Sequence, residues 1–191
     1  MKSKETLRKT ILIKRKFTDP ETLLDKSFAI TERAKQIPCL QETPCLLVYL
    51  GKPEEASTQA LIAWAFKKRK QVLVPITGAN GQLDWSELNE DDTLKKGPLG
   101  IPIPETLRPS TPPTDAPVIV PIVAFSENGH RIGHGVGYYD RFLASHKGFK
   151  IAIAFESQLV PPFKHESHDI PMDAILTEST QYILNDDVSD N

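Results

Sequence analysis

The chain has 191 residues, of which 39% are hydrophobic and 25% are charged, and its formal net charge is −2 at pH 7. This length predicts one domain that spans residues 1–191. The nearly balanced charge argues against a nucleic-acid partner, and no apolar run approaches the ~18 residues that a membrane-spanning helix needs. The two cysteines, Cys39 and Cys45, fit neither a metal site nor a disulfide framework, so we expect a reduced, cytoplasmic protein.

The N-terminal segment, residues 1–37, predicts two helices. In the first, over residues 3–16, the apolar residues form one stripe: Leu7, Ile11 and Leu12. The second helix has a suitable cap in Asp19 and runs to about Gln36. Its inward face is expected to carry four apolar residues: Leu23, Leu24, Phe28 and Ile30.

Five apolar runs farther along the chain predict the strands of a sheet. They cover residues 45–50, 72–75, 118–125, 150–155 and 173–177. The first of them is uninterrupted, which is typical of a strand buried on both faces of a parallel sheet. Helices capped by Ser57-Thr58 and starting near Gly137 alternate with these runs. We therefore predict an α/β fold: a single three-layer α/β/α domain, Rossmann-like, with a mostly parallel sheet and the N-terminal helices packed on it.

Residues 78–117 have a weaker pattern. Residues 83–85 are compatible with a short edge strand, whereas the many prolines from Pro98 to Pro117 predict a mostly extended loop that wraps the domain. The polar, acidic stretch at about 185–191 predicts a flexible tail.

The most informative pattern lies in residues 129–141, where Gly133, Gly135 and Gly137 alternate with other residues. Glycine lets an anion come close to the backbone, and a helix that begins next offers free N–H groups. The spacing matches neither the dinucleotide fingerprint nor the P-loop, so a plain turn between strand and helix is the alternative. We interpret the run as a phosphate-binding loop.

Charged residues elsewhere indicate how a phosphate could be held. Lys4 and Arg8 share one helix face, which is compatible with a solvated surface or with a clamp for a polyphosphate. Asp140, in the first turn of a helix, either stabilises the helix dipole or binds Mg²⁺, which prefers hard oxygen ligands. Residues 165–169 contain histidine and acidic side chains, but nearby prolines exclude the helix that a His-Glu-x-x-His zinc motif needs. We favour Asp169 as a second ligand of the same Mg²⁺.

These segments together resemble the 5-formyltetrahydrofolate cyclo-ligase family. The most specific match is the run from Arg131 through the three glycines to Tyr138-Tyr139-Asp140-Arg141. Weaker matches occur in order along nearly the whole chain: Lys4-x-x-x-Arg8, residues 45–50 leading to Glu55-x-x-Thr58, Gly100-Ile101-Pro102, residues 120–125, and His168-Asp169 followed by Asp173.

The resemblance implies an activity and its cofactors. ATP is the implied cosubstrate and Mg²⁺ the implied cofactor of a conversion of 5-formyltetrahydrofolate to 5,10-methenyltetrahydrofolate, with release of ADP and phosphate. The formyl oxygen is phosphorylated and the ring then closes. The implied fold is similar to that of sugar-phosphate isomerases and CoA-transferases. The implied partners are small-molecule substrates, with neither nucleic acid nor membrane, for a monomer or weak homo-oligomer.

The resemblance also implies roles for individual residues. The implied ATP-binding residues are Lys4, Arg8, Arg131, Gly133, His134, Gly135, Val136, Gly137, Tyr138 and Tyr139. The implied folate-binding residues are Leu50, Glu55, His134, Gly135 and Tyr138. Arg131 and Tyr138 are implied to be catalytic, and Asp140 and Asp169 to bind the metal. An aromatic residue that is frequent in the family before Gly100 is Leu99 here.

Two other classes of function fit part of this pattern. A phosphate-loop enzyme such as a sugar-phosphate isomerase would use a similar loop without consuming ATP. A non-catalytic module would bind folate or a nucleotide without forming a product. We favour the cyclo-ligase, because neither alternative explains the basic N-terminal residues, the glycine run and the two separated aspartates together.

Overall fold

Strands form at each of the predicted apolar runs, and helices precede the first of them and separate several of the others. The structure is a computed structural model that describes residues 2–78 and 81–184; the predicted flexible tail at about 185–191 lies outside them. The helices are α1 (Lys4–Lys16), α2 (Pro20–Ala34), α3 (Pro38–Glu42), α4 (Gln59–Lys67) and α5 (Tyr138–Leu143). The strands are β1 (Cys45–Val48), β2 (Gln71–Thr77), β3 (Leu83–Leu88), β4 (Leu94–Lys96), β5 (Pro102–Pro104), β6 (Val118–Pro121), β7 (Ala124–Phe125), β8 (Arg131–Ile132), β9 (Lys150–Ile153), β10 (Ala174–Leu176) and β11 (Gln181–Ile183).

A seven-stranded sheet forms the centre of the molecule, with the strand order β11-β10-β9-β6-β1-β2-β3. The five inner strands are parallel to one another, and β3 and β11 are antiparallel at the two edges. All four residues of β1 are buried, as expected for a strand covered on both faces. The prediction of a mostly parallel sheet is therefore confirmed.

Helices cover both faces of this sheet because the side chains of its strands alternate between two cores. Along β1, Leu46 and Val48 join the core that contains residues of α2, α3 and α4. Cys45 and Leu47 point the other way, into the core that contains Leu143 of α5. This arrangement confirms the predicted α/β fold. Among the described residues, none of the helices is both long and apolar enough to span a bilayer.

The predicted inward face of α2 is correct at two positions and wrong at two. The Asp19 side chain caps the helix as predicted, by accepting a hydrogen bond of 2.9 Å from the Thr22 amide. Leu23 and Ile30 are buried, but Leu24 and Phe28 are each 60% exposed. The buried stripe consists of Leu23, Ser27, Ile30, Thr31 and Ala34. Leu24 and Phe28 are each one residue beyond a member of this stripe, which turns them ~100° away from the sheet.

The apolar run 118–125 is two strands rather than the single strand predicted. Strand β6 ends at Pro121, which lacks the N–H that a continuing ladder would use. The carbonyls of Ile122 and Val123 then accept hydrogen bonds of 3.0 and 2.9 Å from the buried Gln158 side chain. The chain thus leaves the sheet, and β7 pairs with β8 in an antiparallel hairpin. This hairpin returns the glycine-rich run to the carboxyl end of β6.

Residues 78–117 contain more structure than the predicted loop. The edge strand expected at 83–85 is confirmed as part of β3, which pairs antiparallel with β2. Strands β4 and β5 form a hairpin among the prolines, with Lys96 opposite Pro102. Proline is tolerated there because these short strands belong to a separate two-stranded sheet with free edges. The helix α3 and the edge strand β11 are also absent from the sequence predictions.

The opposite orientations of Leu23 and Leu24 give a test of the α2 packing. We expect Leu23→Ala to lower the free energy of unfolding by about 2–4 kcal/mol, because it leaves a cavity against the sheet. Leu24→Ala removes the same atoms from an exposed position and should change that free energy by less than about 0.5 kcal/mol. Urea denaturation of both variants measures the difference, and equal losses would contradict the orientation of the helix.

Candidate active site

A cavity of about 480 Å³ opens at the carboxyl ends of the central parallel strands. Leu50 follows β1, Thr77 ends β2 and Pro121 ends β6, and all three line it. Ligands of open α/β sheets bind at this edge. Every residue to which the sequence assigned a role lines the same cavity: Lys4, Arg8, Leu50, Glu55, Arg131, Gly133, His134, Gly135, Val136, Gly137, Tyr138, Tyr139, Asp140 and Asp169.

The glycine-rich loop, residues 133–137, connects β8 to α5 and forms one wall of the cavity. Gly135 and Gly137 have φ angles of +99° and +76°, which other residues adopt only with strain. Arg8 holds the start of the loop through a hydrogen bond of 2.8 Å from its Nε to the Gly133 carbonyl. Its guanidinium also lies 3.4 Å from the position that a Cβ atom on Gly135 would occupy. A positive charge therefore lies directly against the loop.

Arg141 holds the far end of the same loop. Its guanidinium donates 2.9 Å to the Val136 carbonyl and 2.8 Å to the carbonyl of Gly81, which precedes β3. The guanidinium carbon also lies 5.7 Å from the centre of the Tyr138 ring. Arg141 belongs to the sequence motif, but no role in the site was predicted for it. Its contacts show that it links the loop to a neighbouring strand pair.

Arg131 and Asp140 form a largely buried ion pair at the floor of the cavity. Their shortest contact is 2.7 Å, from Nη2 of Arg131 to Oδ1 of Asp140, and the arginine side chain is only 5% exposed. Burial lowers the pKa of Arg131 from its ordinary value, and the Asp140 charge opposes that effect. Arginine keeps its proton even so. The pairing with Asp140 therefore holds the Arg131 guanidinium in a fixed position beside the glycine-rich loop.

A second ion pair joins the N-terminus of α1 to residues 165–169. The Nζ of Lys4 donates a short hydrogen bond to Oδ2 of Asp169, which also accepts 2.6 Å from the Glu166 amide. Burial alone raises the pKa of Asp169, but these hydrogen bonds and the Lys4 charge hold it below its ordinary value. The rings of His130 and His165 stack at 3.8 Å and hold this segment against the β7–β8 hairpin.

The predicted metal residues lie on the same cavity but differ in surroundings. Ligand atoms of Glu166, His168 and Asp169 lie within 4.8 Å of one another, a group that excludes Asp140. Glu166 and His168 are exposed. Residues 165–169 are not helical, in agreement with the rejection of the zinc motif.

Glu55 lines the same cavity and contacts three separate segments of the chain. One carboxylate oxygen lies 3.0 Å from Nε2 of His134, and the other accepts 2.9 Å from the Lys52 amide. Nη2 of Arg15 lies 3.9 Å from the first oxygen. Burial alone raises the pKa of Glu55, but the His134 and Lys52 hydrogen bonds and the Arg15 charge together hold it below its ordinary value. The carboxylate is therefore ionised at neutral pH.

The two tyrosines after the glycines have different surroundings. Tyr139 packs against the core on the α5 face, and burial raises the pKa of its hydroxyl well above the ordinary value. That hydroxyl has no hydrogen-bond partner among the described residues, although Tyr139 lines the cavity. Tyr138 is half-buried.

Apolar residues from the β4–β5 hairpin form the rim of the cavity. Leu99, Ile101 and Ile103 all line it, and Leu99 has a φ angle of +57°. Leu99 itself is 61% exposed. A rim of this kind suits the flat, apolar part of a ligand whose charged part lies on the glycine-rich loop. Fold and cavity together define an α/β protein with a cavity at the carboxyl ends of its parallel strands, lined by glycines, basic side chains and an apolar rim.

Comparison with known proteins names the family. The model of the 5-formyltetrahydrofolate cyclo-ligase family matches residues 1–178, and the chain belongs to that family. A probable 5-formyltetrahydrofolate cyclo-ligase of Caenorhabditis elegans is 30% identical over 172 residues, 82% of this chain and 83% of that protein. The 5-formyltetrahydrofolate cyclo-ligase of Escherichia coli K12 is 29% identical over 173 residues, 87% of this chain and 95% of that protein.

Solved structures agree with this assignment. The 5,10-methenyltetrahydrofolate synthetase of Aquifex aeolicus superposes with a TM-score of 0.83 at 28% identity, and the match covers 98% of this chain and 96% of that one. The 5,10-methenyltetrahydrofolate synthetase of Mycoplasma pneumoniae, at 20% identity and a TM-score of 0.75, supports the fold alone. The resemblance inferred from the glycine-rich motif is confirmed.

Two glycines of the loop form a matched pair for a stability test. Gly135→Ala should lower the free energy of unfolding by about 1–2 kcal/mol, because its φ of +99° strains any side chain. Gly133 does not have a positive φ, and an added Cβ would lie 3.5 Å from the Arg131 guanidinium, an ordinary contact. Gly133→Ala should therefore leave the free energy of unfolding close to that of the unchanged protein. Thermal denaturation of both variants measures the difference. Equal effects of the two changes would contradict the loop conformation.

Proposed function

We propose that this protein converts 5-formyltetrahydrofolate to 5,10-methenyltetrahydrofolate with consumption of ATP. One observation carries the proposal: the family motif, the basic face of α1 and the segments after β1 and β9 all line a single cavity. Membership of the cyclo-ligase family over residues 1–178 supports it independently. The same membership favours this activity over a sugar-phosphate isomerase or a non-catalytic binding module.

In this proposal the phosphates of ATP lie along the glycine-rich loop. Three cations, those of Lys4, Arg8 and Arg131, line the same part of the cavity and would neutralise them. The backbone of residues 133–137 carries no bulky side chain at the glycines, so the phosphates can approach closely. His134, Val136, Tyr138 and Tyr139 complete the proposed nucleotide site.

The residues present fit a Mg²⁺ ion beside those phosphates. Asp140 uses Oδ1 for Arg131 and the Ile170 amide, and Asp169 uses Oδ2 for Lys4 and the Glu166 amide. The second oxygen of each carboxylate accepts no hydrogen bond from the described residues, and hard oxygen donors are what Mg²⁺ prefers. We propose that Asp140 and Asp169 hold the ion, which when bound would neutralise charge on the transferring phosphoryl group.

The folate would occupy the wall formed by Leu50, Glu55 and the β4–β5 hairpin. The ionised Glu55 carboxylate can accept hydrogen bonds from the N–H groups of a pterin ring. His134, Gly135 and Tyr138 border both this wall and the nucleotide site, which would bring the formyl group next to the γ-phosphate. Leu99 supplies an apolar contact where related proteins often carry an aromatic ring.

The chemistry needs no protein nucleophile. The formyl oxygen attacks the γ-phosphorus, the bond to ADP breaks, and the formyl carbon becomes susceptible to attack. The neighbouring aniline-type nitrogen adds to that carbon and loses its proton, and the C–O bond breaks to release phosphate. Arg131 would stabilise charge on the transferring group, and Tyr138 would hydrogen-bond the reacting oxygen.

The same proposal places the protein in the cytoplasm, as one domain that acts alone or as a weak homo-oligomer on small molecules. Cys39 and Cys45 are free, and burial raises the pKa of each thiol to about 11. Both thiols are therefore protonated at neutral pH.

The activity is tested with the purified protein. The absorbance of the methenyl product should appear only when protein, ATP, Mg²⁺ and 5-formyltetrahydrofolate are all present, and EDTA should abolish it. Turnover without ATP would contradict the cyclo-ligase assignment. Binding of folate without any product would support the non-catalytic module instead.

The metal assignment is tested with Asp140→Asn. This change should lower kcat by about 100-fold or more, because a neutral amide binds Mg²⁺ and pairs with Arg131 weakly. Asp91→Asn, at an exposed position outside the cavity, is the matched control and should keep the original rate. If Asp140→Asn retained full activity at limiting Mg²⁺, Asp140 would not be a metal ligand.

A further inference from the structure

Helix α1 carries a third inward cation that the proposed function leaves unexplained. Lys4, Arg8 and Arg15 are spaced four and then seven residues apart, so they lie on one face of the helix. Lys4 and Arg8 line the cavity, but Arg15 does not. Its side chain is 4% exposed, and it is in contact with the segment that precedes α4.

The surroundings of Arg15 are costly for a residue with a structural role alone. Its Nε donates 2.9 Å to the Glu54 carbonyl, but its Nη1 is buried without a hydrogen-bond partner among the described residues. An apolar side chain of similar volume would avoid that penalty. The favourable charge at the C-terminus of α1 is already supplied by Lys14 and Lys16, which are exposed.

The contact that remains is the one with Glu55. Nη2 of Arg15 lies 3.9 Å from the same carboxylate oxygen that bonds to His134. Glu55 is 8% exposed and faces the cavity, whereas Arg15 lies outside its wall. The guanidinium therefore contacts the carboxylate from the protein interior. Arg15 can influence a ligand in the cavity only through Glu55.

We propose that Arg15 is a positioning residue for the folate half of the site: it holds the Glu55 carboxylate in place at the cavity wall. This inference rests on the proposed function, because it assigns Glu55 to the folate. Glu55 also holds His134 of the glycine-rich loop, so Arg15 stabilises the point at which the folate wall and the nucleotide wall meet.

The effect of pH follows from the groups that face Glu55. These are Arg15 from α1, His134 from the glycine-rich loop, Tyr139 from α5, Tyr49 after β1 and the backbone amide of Lys52. Burial raises the pKa of Glu55, and the loss of the Arg15 charge removes one of the groups that oppose it. Without Arg15, Glu55 takes up a proton at higher pH, and its contribution to folate binding is lost as the pH falls.

The experiment measures the binding of 5-formyltetrahydrofolate and of ATP separately, by titration calorimetry between about pH 5.5 and 8.5. Arg15→Gln should weaken folate binding about 10-fold, and the loss should grow as the pH falls. ATP binding should change by less than about 3-fold. Arg15→Lys keeps the charge and should recover most of the acidic affinity, and Lys14→Gln on the exposed face is the control.

A double-mutant cycle with Glu55→Gln tests whether Arg15 acts through Glu55. Once the carboxylate is gone, Arg15→Gln should cause no further loss of folate affinity. If Arg15→Gln proves too unstable, Arg15→Met fills the same space without charge and takes its place. A loss that is equal for both ligands and at every pH, without recovery by lysine, would overturn the inference and leave a purely structural role. Absence of turnover by the unchanged protein would instead overturn the proposed function.

Discussion

Contacts made by one helix hold together segments that are far apart in the chain. Helix α1 pairs with Asp169 through Lys4, with the carbonyl of Gly133 through Arg8, and with Glu55 through Arg15. Each partner belongs to a different wall of the cavity. The first two contacts are charge-assisted hydrogen bonds and the third is an ion pair. Because such contacts are strengthened where water is excluded, they set the distances between the walls.

Apolar packing places that helix where its cations can act. Leu7 and Ile11 pack against Val123, Ala124 and Ile132 of the β7–β8 hairpin. The hairpin in turn exists because the chain leaves the sheet after Pro121 and is held by Gln158. The packing of α1 against the hairpin thus fixes the position of the glycine-rich loop. It also places basic residues of α1 within hydrogen-bonding distance of the cavity walls.

Sequence reasoning succeeded where the information is local. Asp19 caps α2 and the glycines at 135 and 137 take positive φ angles, because capping and backbone freedom depend on neighbouring residues. It failed for Leu24 and Phe28, which are as apolar as their buried neighbours but lie off the contact stripe. No role was predicted for Arg15, although its spacing from Lys4 and Arg8 places it on the same face of the helix.

The family, the mostly parallel sheet and many of the residues that line the cavity could be predicted from the sequence, because a contiguous motif and long apolar runs are visible without the fold. Only the tertiary structure decided which residues touch. That Asp140 pairs with Arg131, Asp169 with Lys4 and Glu55 with both His134 and Arg15 depends on how distant segments pack. The division of the run 118–125 into two strands has the same origin, since Gln158, which holds the chain out of the sheet, lies more than thirty residues away.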